Sequence, residues 1–353
     1  MNAWVSAPAT IQNVGSGEIF TPAQIKHFRH NLLAWYEAHA RDLPWRRMRD
    51  PYAIWVSEIM LQQTRVNAVL DHYARFMARF PTVQKLAEAE EPEVLAIWSG
   101  LGYYRRARMM HRAARVISNE LKGHLPRTAA GLRRLPGIGA YTSAAIASIA
   151  FGDPVAVVDG NVERVVLRVR PRNSGIQAVA QVLLDPMRPG DFNQAMMELG
   201  ATVCLPRNPL CLHCPVQKLC NTRGEHPVAP RKESVRKRVG HALVRRGERV
   251  LLEQRAQDAS LMAGMWELPQ LDGTLPGPER LLFTISHSIT VTNYSVDIFR
   301  LRADEVHLLP EGGRRKWISV DDLAEIPLTG LARKVLKRLQ VFKPPVSGGP
   351  LQR

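Results

Sequence analysis

The four cysteines of the sequence fall in one short run, Cys204-x6-Cys211-x2-Cys214-x5-Cys220. Four thiolates so close together can surround one metal centre, and both zinc and iron–sulfur clusters take sulfur ligands. A disulfide framework would scatter its cysteines, so the clustering favours a metal site. The usual zinc ribbon pairs two Cys-x2-Cys units, whereas this run has one such unit and two wider gaps. Spacing alone leaves zinc and an iron–sulfur cluster open, with four buried thiols as the plainer alternative.

Other residues have types suited to work on a nucleic acid. Glu58 lies in WVSEIMLQQTRV at 55–66, a carboxyl among apolar neighbours, and Gln62 at i+4 shares its helix face. A glutamate on a helix is ordinarily solvated, so position alone argues little. Asp159-Gly160-Asn161 opens a later segment, where an aspartate before glycine is commonly a turn residue. Trp45-Arg46 sets an aromatic plane beside a guanidinium, and Gly102-Tyr103-Tyr104-Arg105-Arg106 mixes rings with cations. Rings that stack on bases and arginines that neutralise phosphate make such mixtures suit nucleic acid. Leu135-Pro136-Gly137-Ile138-Gly139 joins two helical segments, and the second, Tyr141 to Phe151, is rich in Ala and Ser. Glycines permit a tight turn and close approach of a ligand, and the N–H groups that open a helix favour phosphate. This is a helix-hairpin-helix pattern for holding DNA backbone without reading its sequence, although Gly-x-Gly also ends ordinary helices.

The elements that must position these residues are helical over the first two thirds of the chain. Thr21-Pro22-Ala23-Gln24 reads as a capping box with proline at the first helical position. Helical spacing follows over Ile25–Ala40, Ile54–Ala74, Pro92–Trp98 and Arg105–Leu121, with breaks at Pro44, Pro51, Pro81, Gly100, Gly102 and Gly123. The run at Val155 reads as a loop into another helix, and no strand is expected before it. After Cys220 the composition changes to a Gly- and Pro-containing stretch with basic residues from Arg231 to Arg238. His241–Arg245, Val250–Glu253, Val291–Val296 and Trp317–Val320 read as strands, and Leu328–Leu339 as a closing helix. The boundaries are a loose arm at 1–20, a helical domain at 21–222, a linker at 223–235, an α+β domain at 236–342 and a tail at 343–353.

Of 353 residues, 48 are Lys or Arg against 32 Asp or Glu, a formal charge of +16 that favours a polyanionic partner. No apolar run reaches the length of a membrane span, and the first residues do not read as a secretory signal. The expectation is a cytoplasmic protein, nucleoid-associated in a bacterium, with no membrane partner.

Taken together, LPWR at 43–46, WVSEIMLQQTRV at 55–66, GLGYYRRA at 100–107, LPGIGAYT at 135–142, VDGNVERV at 158–165, NQAMMELG at 193–200 and the four-cysteine loop resemble the adenine DNA glycosylases (the MutY family). That family belongs to the helix-hairpin-helix glycosylases, and its motifs occur here in family order over residues ~40–220. The resemblance implies a mainly α catalytic domain with a [4Fe–4S] cluster on Cys204, Cys211, Cys214 and Cys220. It implies base excision repair by a monomer that hydrolyses the N-glycosidic bond of adenine mispaired with 8-oxoguanine or guanine in double-stranded DNA. Such a base must be extruded from the duplex before reaction. Adenine is a poor leaving group until protonated at N7, a task for a carboxylic acid in a partly buried pocket. By resemblance this acid is Glu58, and Asp159 is the carboxylate that stabilises positive charge at C1′. Tyr141 and Asn161 match positions that assist the sugar-side step. Trp45, Arg46, Gln194 and Glu198 match positions lining the adenine pocket. Leu61, Gln63, Thr64 and Tyr103 match positions that wedge the stack and touch the opposing lesion. Related pyrimidine-specific glycosylase/lyases place a lysine where this chain has Tyr141, and its amine forms a Schiff base that leads to strand cutting. Tyrosine at this position implies a monofunctional enzyme.

Residues ~236–342 resemble the Nudix-like domain with which adenine glycosylases recognise 8-oxoguanine, GMWELPQ at 264–270 being the best match. The acidic cluster of a working Nudix hydrolase is missing, so a binding module is expected rather than a pyrophosphatase. Ile285-Ser286-His287 stands where the family commonly has Phe-Ser-His; Ser286 and His287 suit the lesion's Hoogsteen face, and Ile285 removes an aromatic support. The rival readings are a related pyrimidine-lesion or mismatch glycosylase, and a non-catalytic DNA-binding protein with a cluster.

Overall fold

A computed structural model describes residues 20–170, 175–224, 235–272, 275–289, 292–311 and 313–342. The expected arm up to residue 19, the linker over 225–234 and the tail from 343 lie outside the described residues. The helices are α1 (Pro22–His39), α2 (Pro51–Leu61), α3 (Val66–Arg79), α4 (Val83–Glu88), α5 (Glu91–Trp98), α6 (Arg105–Glu120), α7 (Ala129–Leu132), α8 (Ala140–Phe151), α9 (Gly160–Val169), α10 (Ile176–Leu183), α11 (Pro189–Thr202) and α12 (Gly330–Arg338). The strands are β1 (Val235–Arg246), β2 (Arg249–Gln254), β3 (Trp266–Glu267), β4 (Gln270–Leu271), β5 (Leu281–Ile289), β6 (Thr292–Leu301) and β7 (Arg314–Ser319). Among the described residues no strand precedes Val235, and no helix is long and apolar enough to cross a membrane.

Local chemistry explains many of the boundaries. Thr21 and Gln24 cap α1 reciprocally, with Pro22 at its first turn. Asp159 caps α9 and Thr329 caps α12. Gly152 ends α8 at φ +73°, a conformation that glycine adopts without a Cβ penalty. The helix expected from Ile54 to Ala74 is instead two helices. Here α2 stops at Leu61, Gln63 turns left-handed at φ +54°, and α3 begins at Val66. The stop is imposed from elsewhere in the sequence, by the guanidinium of Arg106 on the last carbonyls of α2.

The chain forms two compact units. One comprises Met1–Pro51, Pro126–Arg133 and Ile138–Val228; the other comprises Tyr52–Leu125, Arg134–Gly137 and Ala229–Arg353. The core of the first packs α1, α9, α10 and α11 through Phe28, Leu32, Val165, Leu183, Phe192 and Leu199, and Val216 of the cysteine loop joins it. Phe20, the last residue of the expected arm, is buried in this core.

The second unit holds α2–α6, the sheet and α12. Its main strand order is β3-β2-β1-β6-β5, with β4 on β1 and β7 on β2. Strand β1 is longer than the expected His241–Arg245 because Val235–Val244 pairs in parallel with Thr292–Leu301. Val291, expected to start a strand, lies outside the described residues. Strand β5 was not anticipated; it pairs antiparallel with β6 as an outer strand and carries Ser286 and His287. Leu243, Leu252, Ile285, Val296, Ile298, Val335 and Leu336 form the core between the sheet and α12. Ser99 Oγ and Tyr104 OH both donate to the Leu328 carbonyl, at 2.8 and 3.2 Å, and fasten the start of α6 to the segment before α12.

Candidate functional site

In the first unit Asp159 sits at the N-terminus of α9 with both carboxylate oxygens hydrogen-bonded. Oδ1 accepts from the backbone N–H groups of Asn161 (3.0 Å) and Val162 (2.8 Å), and Oδ2 accepts from Asn161 Nδ2 (2.9 Å). Asn161 Oδ1 in turn accepts from Arg164, which also donates to the carbonyls of Gly200 and Cys204. A chain of hydrogen bonds therefore runs from Asp159 to the start of the cysteine loop. The approach of α11 is close: a Cβ on Gly200 would lie 2.6 Å from Asn161 Cβ, so the position admits only glycine without movement. Tyr141, half-buried near the start of α8, donates to Met197 Sδ at 3.6 Å.

Glu198 on α11 is buried at 1% exposure and is gripped by two arginines. Arg41 donates to it from Nε (2.6 Å) and Nη2 (2.8 Å), and Arg46 from Nη2 (2.8 Å). Burial pushes the Glu198 carboxyl up, but the bonds and charges of Arg41 and Arg46 outweigh this and leave it below its ordinary value. The Arg46 guanidinium also lies 5.5 Å from the centre of the Tyr36 ring, and Trp45 is buried beside it in a single turn of 3-10 helix. Of the expected adenine-pocket residues, the structure therefore joins Arg46 to Glu198, with Trp45 adjacent to Arg46. Gln194, half-buried, lies one helical turn before Glu198.

Three further residues were given no role by the sequence reading. Arg41 is the second clamp on Glu198, and Arg164 is the link described above. Asn193 is buried and saturated: it accepts from Val157 N and donates to Ser148 Oγ and the Val155 carbonyl. It thereby holds the extended run that leads into Asp159. Its only sequence signal was its place in NQAMMELG.

The four cysteines line one cavity with Arg168, Val203, Pro209 and Gln217. Arg168 is 2% exposed, donates to Cys204 Sγ at 3.3 Å and to the Leu205 and Pro206 carbonyls, and keeps a buried Nε–H without a hydrogen-bond partner among the described residues. Burial pushes the Cys204 thiol up and the Cys214 thiol to about 11, so a metal group must displace protons to bind. Four thiols, no carboxylate in the wall and one buried cation with a spare donor fit an anionic, sulfur-ligated group. No three His, Cys, Asp or Glu side chains among the described residues form a site for a single ion.

Ile138 and Gly139 also belong to this unit. Gly139 caps α8 with no side chain over the helix start, and a Cβ there would meet nothing within 4 Å, so the end is open. Gly137, in the second unit, has φ +74°, and a Cβ would fall 2.5 Å from Met109 Cβ. Both the turn and the approach of α6 need its lack of a side chain.

In the second unit Glu58 is 5% exposed in the middle of α2, among Ile54, Trp55, Ser57, Ile59 and Met60, all buried. Leu61 ends that helix, and Gln62, Gln63 and Thr64 form the turn after it. Tyr103 is half exposed, with φ +48°. Gln62, Gln63, Tyr103, Arg105 and Gly137 share the wall of a cavity of about 450 Å³. Ser286 and His287 are neighbours on β5 and so point to opposite faces of the sheet. Ser286 is exposed, while His287 is half-buried with its Cε1 near Gly330. Burial and the nearby Lys334 push the His287 imidazole below its ordinary value, favouring the neutral ring. Ile285 is buried in the core, which an exposed aromatic support could not be.

Residues 56–188 match the HhH-GPD superfamily of base excision DNA repair proteins, and residues 240–338 match the NUDIX domain. The adenine DNA glycosylase of Rattus norvegicus is 55% identical over 216 residues, 56% of this chain and 42% of that protein. The adenine DNA glycosylase of Arabidopsis thaliana is 37% identical over 309 residues, 72% of this chain and 49% of that one. The solved structure of a thermostable thymine-DNA glycosylase is 31% identical with a TM-score of 0.53, covering 57% of this chain and 97% of that chain. The chain belongs to the HhH-GPD superfamily of base excision DNA repair proteins and carries a NUDIX domain after its helical part. It spans less than half the length of these two glycosylase relatives.

Proposed function

We propose that the protein is a monofunctional adenine DNA glycosylase acting on double-stranded DNA, with adenine opposite 8-oxoguanine as its preferred substrate and adenine opposite guanine as a slower one. The observation that carries this reading is a pair of carboxyl groups in contrasting surroundings. Glu58 is buried in the middle of the apolar helix α2, and Asp159 is held by three N–H donors at the start of α9. Such a contrast suits two like groups to different roles, one as acid and one as anion. Glu58 delivers a proton to adenine N7. The C1′–N9 bond breaks with its electron pair passing to the base. Asp159 faces the positive charge left at C1′, as a counter-ion or through a transient bond, and takes the proton of the water that adds there. Asn161 fixes Asp159, and Tyr141 supports the sugar-side step. A phenol offers no amine for a Schiff base, so the strand stays uncut.

The adenine pocket is assigned to Trp45, Arg46, Gln194 and Glu198, and the duplex wedge to Leu61, Gln62, Gln63, Thr64 and Tyr103. Gly137, Ile138, Gly139 and the open start of α8 would take a backbone phosphate. Ser286 on β5, with His287 behind it, would read the opposing lesion. Cys204, Cys211, Cys214 and Cys220 would hold a [4Fe–4S] cluster beside Arg168. When bound, the cluster cross-links the loop and offers electron-transfer chemistry that base hydrolysis does not need.

A panel of duplexes tests the reading: adenine opposite 8-oxoguanine, adenine opposite guanine, thymine opposite guanine, and an oxidised pyrimidine. Release of adenine alone supports it. Release of thymine or of the pyrimidine replaces it with the rival glycosylase reading, for which the 31% identity to a thymine-DNA glycosylase is the observation.

A further inference from the structure

One arginine ties together the two segments to which the wedge is assigned. Arg106, on the first turn of α6, sends Nη1 to the carbonyls of Ile59 (2.8 Å), Met60 (3.1 Å) and Gln62, the end of α2 and the turn beyond it. Its Nη2 reaches Thr64 Oγ1 (3.1 Å) and the carbonyls of Leu101 (3.4 Å) and Gly102 (3.3 Å). The guanidinium lies 5.4 Å from the centre of the Trp98 ring and 5.5 Å from that of Tyr103. Helix carbonyls at a C-terminus lack intrahelical donors and favour a cation. Here a single planar fork supplies that cation to one segment while bonding the other.

The two segments share a second property. Each carries a non-glycine residue in the left-handed region, Gln63 at φ +54° and Tyr103 at φ +48°. That conformation is strained for a residue with a Cβ and persists only where the surroundings enforce it. Arg106 touches the residues on either side of Gln63 and those just before Tyr103.

We propose that Arg106 is a positioning residue that presets Gln63 and Tyr103 as one unit for entry into the duplex. It does not itself touch the reacting base. The inference rests on the function proposed above, in which those two side chains enter the stack. Burial lowers the Arg106 guanidinium to about 10, so it remains charged at neutral pH. Its rigid fork is what lysine lacks: an ammonium can meet the α2 carbonyls or the 101–102 carbonyls but has no planar geometry to span both.

The test compares Arg106→Lys with the wild-type protein by two readouts. Amide hydrogen exchange over 59–66 and 98–105 reports the two segments directly and needs no activity. Both should lose protection together, with the rest of α6 unchanged. Single-turnover adenine release should fall about tenfold or more on a fully paired duplex, where the base must be extruded, because misplaced positioning groups cost up to about 10²-fold. The fall should be no more than about threefold where the adenine lies opposite an abasic site and is already unpaired. Unchanged exchange, loosening of one segment alone, or an equal fall on both duplexes would overturn the proposal. If Arg106→Lys does not fold, Arg106→Gln, with one donor amide, is put to the same test. Failure of the wild type to release adenine from any duplex counts against the function, while the exchange result still decides whether Arg106 couples the segments.

Discussion

Asp159 uses both carboxylate oxygens on donors from its own helix start and from Asn161, so its direction is set before DNA arrives. Glu58 has the opposite setting, deep in α2. If Glu58 gives a proton and Asp159 answers the charge that follows, Glu58→Gln and Asp159→Asn should each reduce single-turnover adenine release by on the order of 10³-fold or more, with duplex affinity retained. Near wild-type rates in either variant would refute the assignment. Glu198 makes a prediction about pH. Its carboxyl is held below the ordinary value of 4.5, so folding favours the anion. The resulting stability is present above the unfolded value and is lost as pH falls through the folded one. The melting temperature of Glu198→Gln should therefore lie furthest below that of the wild type near neutrality, and the gap should close as the pH falls below the ordinary carboxyl value of 4.5 and through the folded one. At this scale the sequence singled out residues that sit in dense motifs, as with Glu58, Asp159 and Tyr141. It gave no role to Arg41, Arg164 and Asn193, whose tertiary partners lie 36 to 157 positions away. No periodicity or spacing records such a partner.

Among the elements, α1 was legible from its capping box and α6 from its apolar stripe, both of them local. The break between α2 and α3 was not: no Gly or Pro marks residues 62–65, and the carbonyl-capping cation comes from Arg106. Strand β5 was missed because its identity depends on pairing with β6, a non-local contact. Helix α11 carries the greatest mechanical demand, since it packs on α1, α8 and α9 while presenting Glu198. Leu199, fully buried on it, should cost about 2–5 kcal/mol when truncated to alanine, read from denaturant unfolding. In the cysteine loop, the raised Cys214 thiol means that the apo loop is protonated at neutral pH. Loading should release protons, and Cys214→Ala should abolish the visible absorbance of the loaded protein and lower its melting temperature. A colourless wild-type protein that binds one zinc per chain would instead favour the other metal left open by the spacing.

For the molecule as a whole, a formal charge of +16 favours a polyanionic partner, which in the proposed function is DNA. If the hairpin and basic surface neutralise about four phosphates, duplex affinity should fall roughly 10²-fold between about 50 and 200 mM salt. A flat salt dependence would show that phosphate contacts are few. The change in composition after Cys220 marks the passage from helices to strands, but the compact units do not divide there: Tyr52–Leu125 groups with Ala229–Arg353, an association of distant segments that composition does not record. How Ile285 changes lesion reading was not legible, because burial of that side chain is a property of the assembled sheet. The measurement that bears most directly on the central claim is single-turnover release of adenine from an 8-oxoguanine:adenine duplex beside a guanine:adenine duplex, each sampled before and after alkali. The account predicts rapid release, faster from the oxidised duplex, with strand breaks only after alkali. Tight binding without release, or breaks that need no alkali, would contradict it.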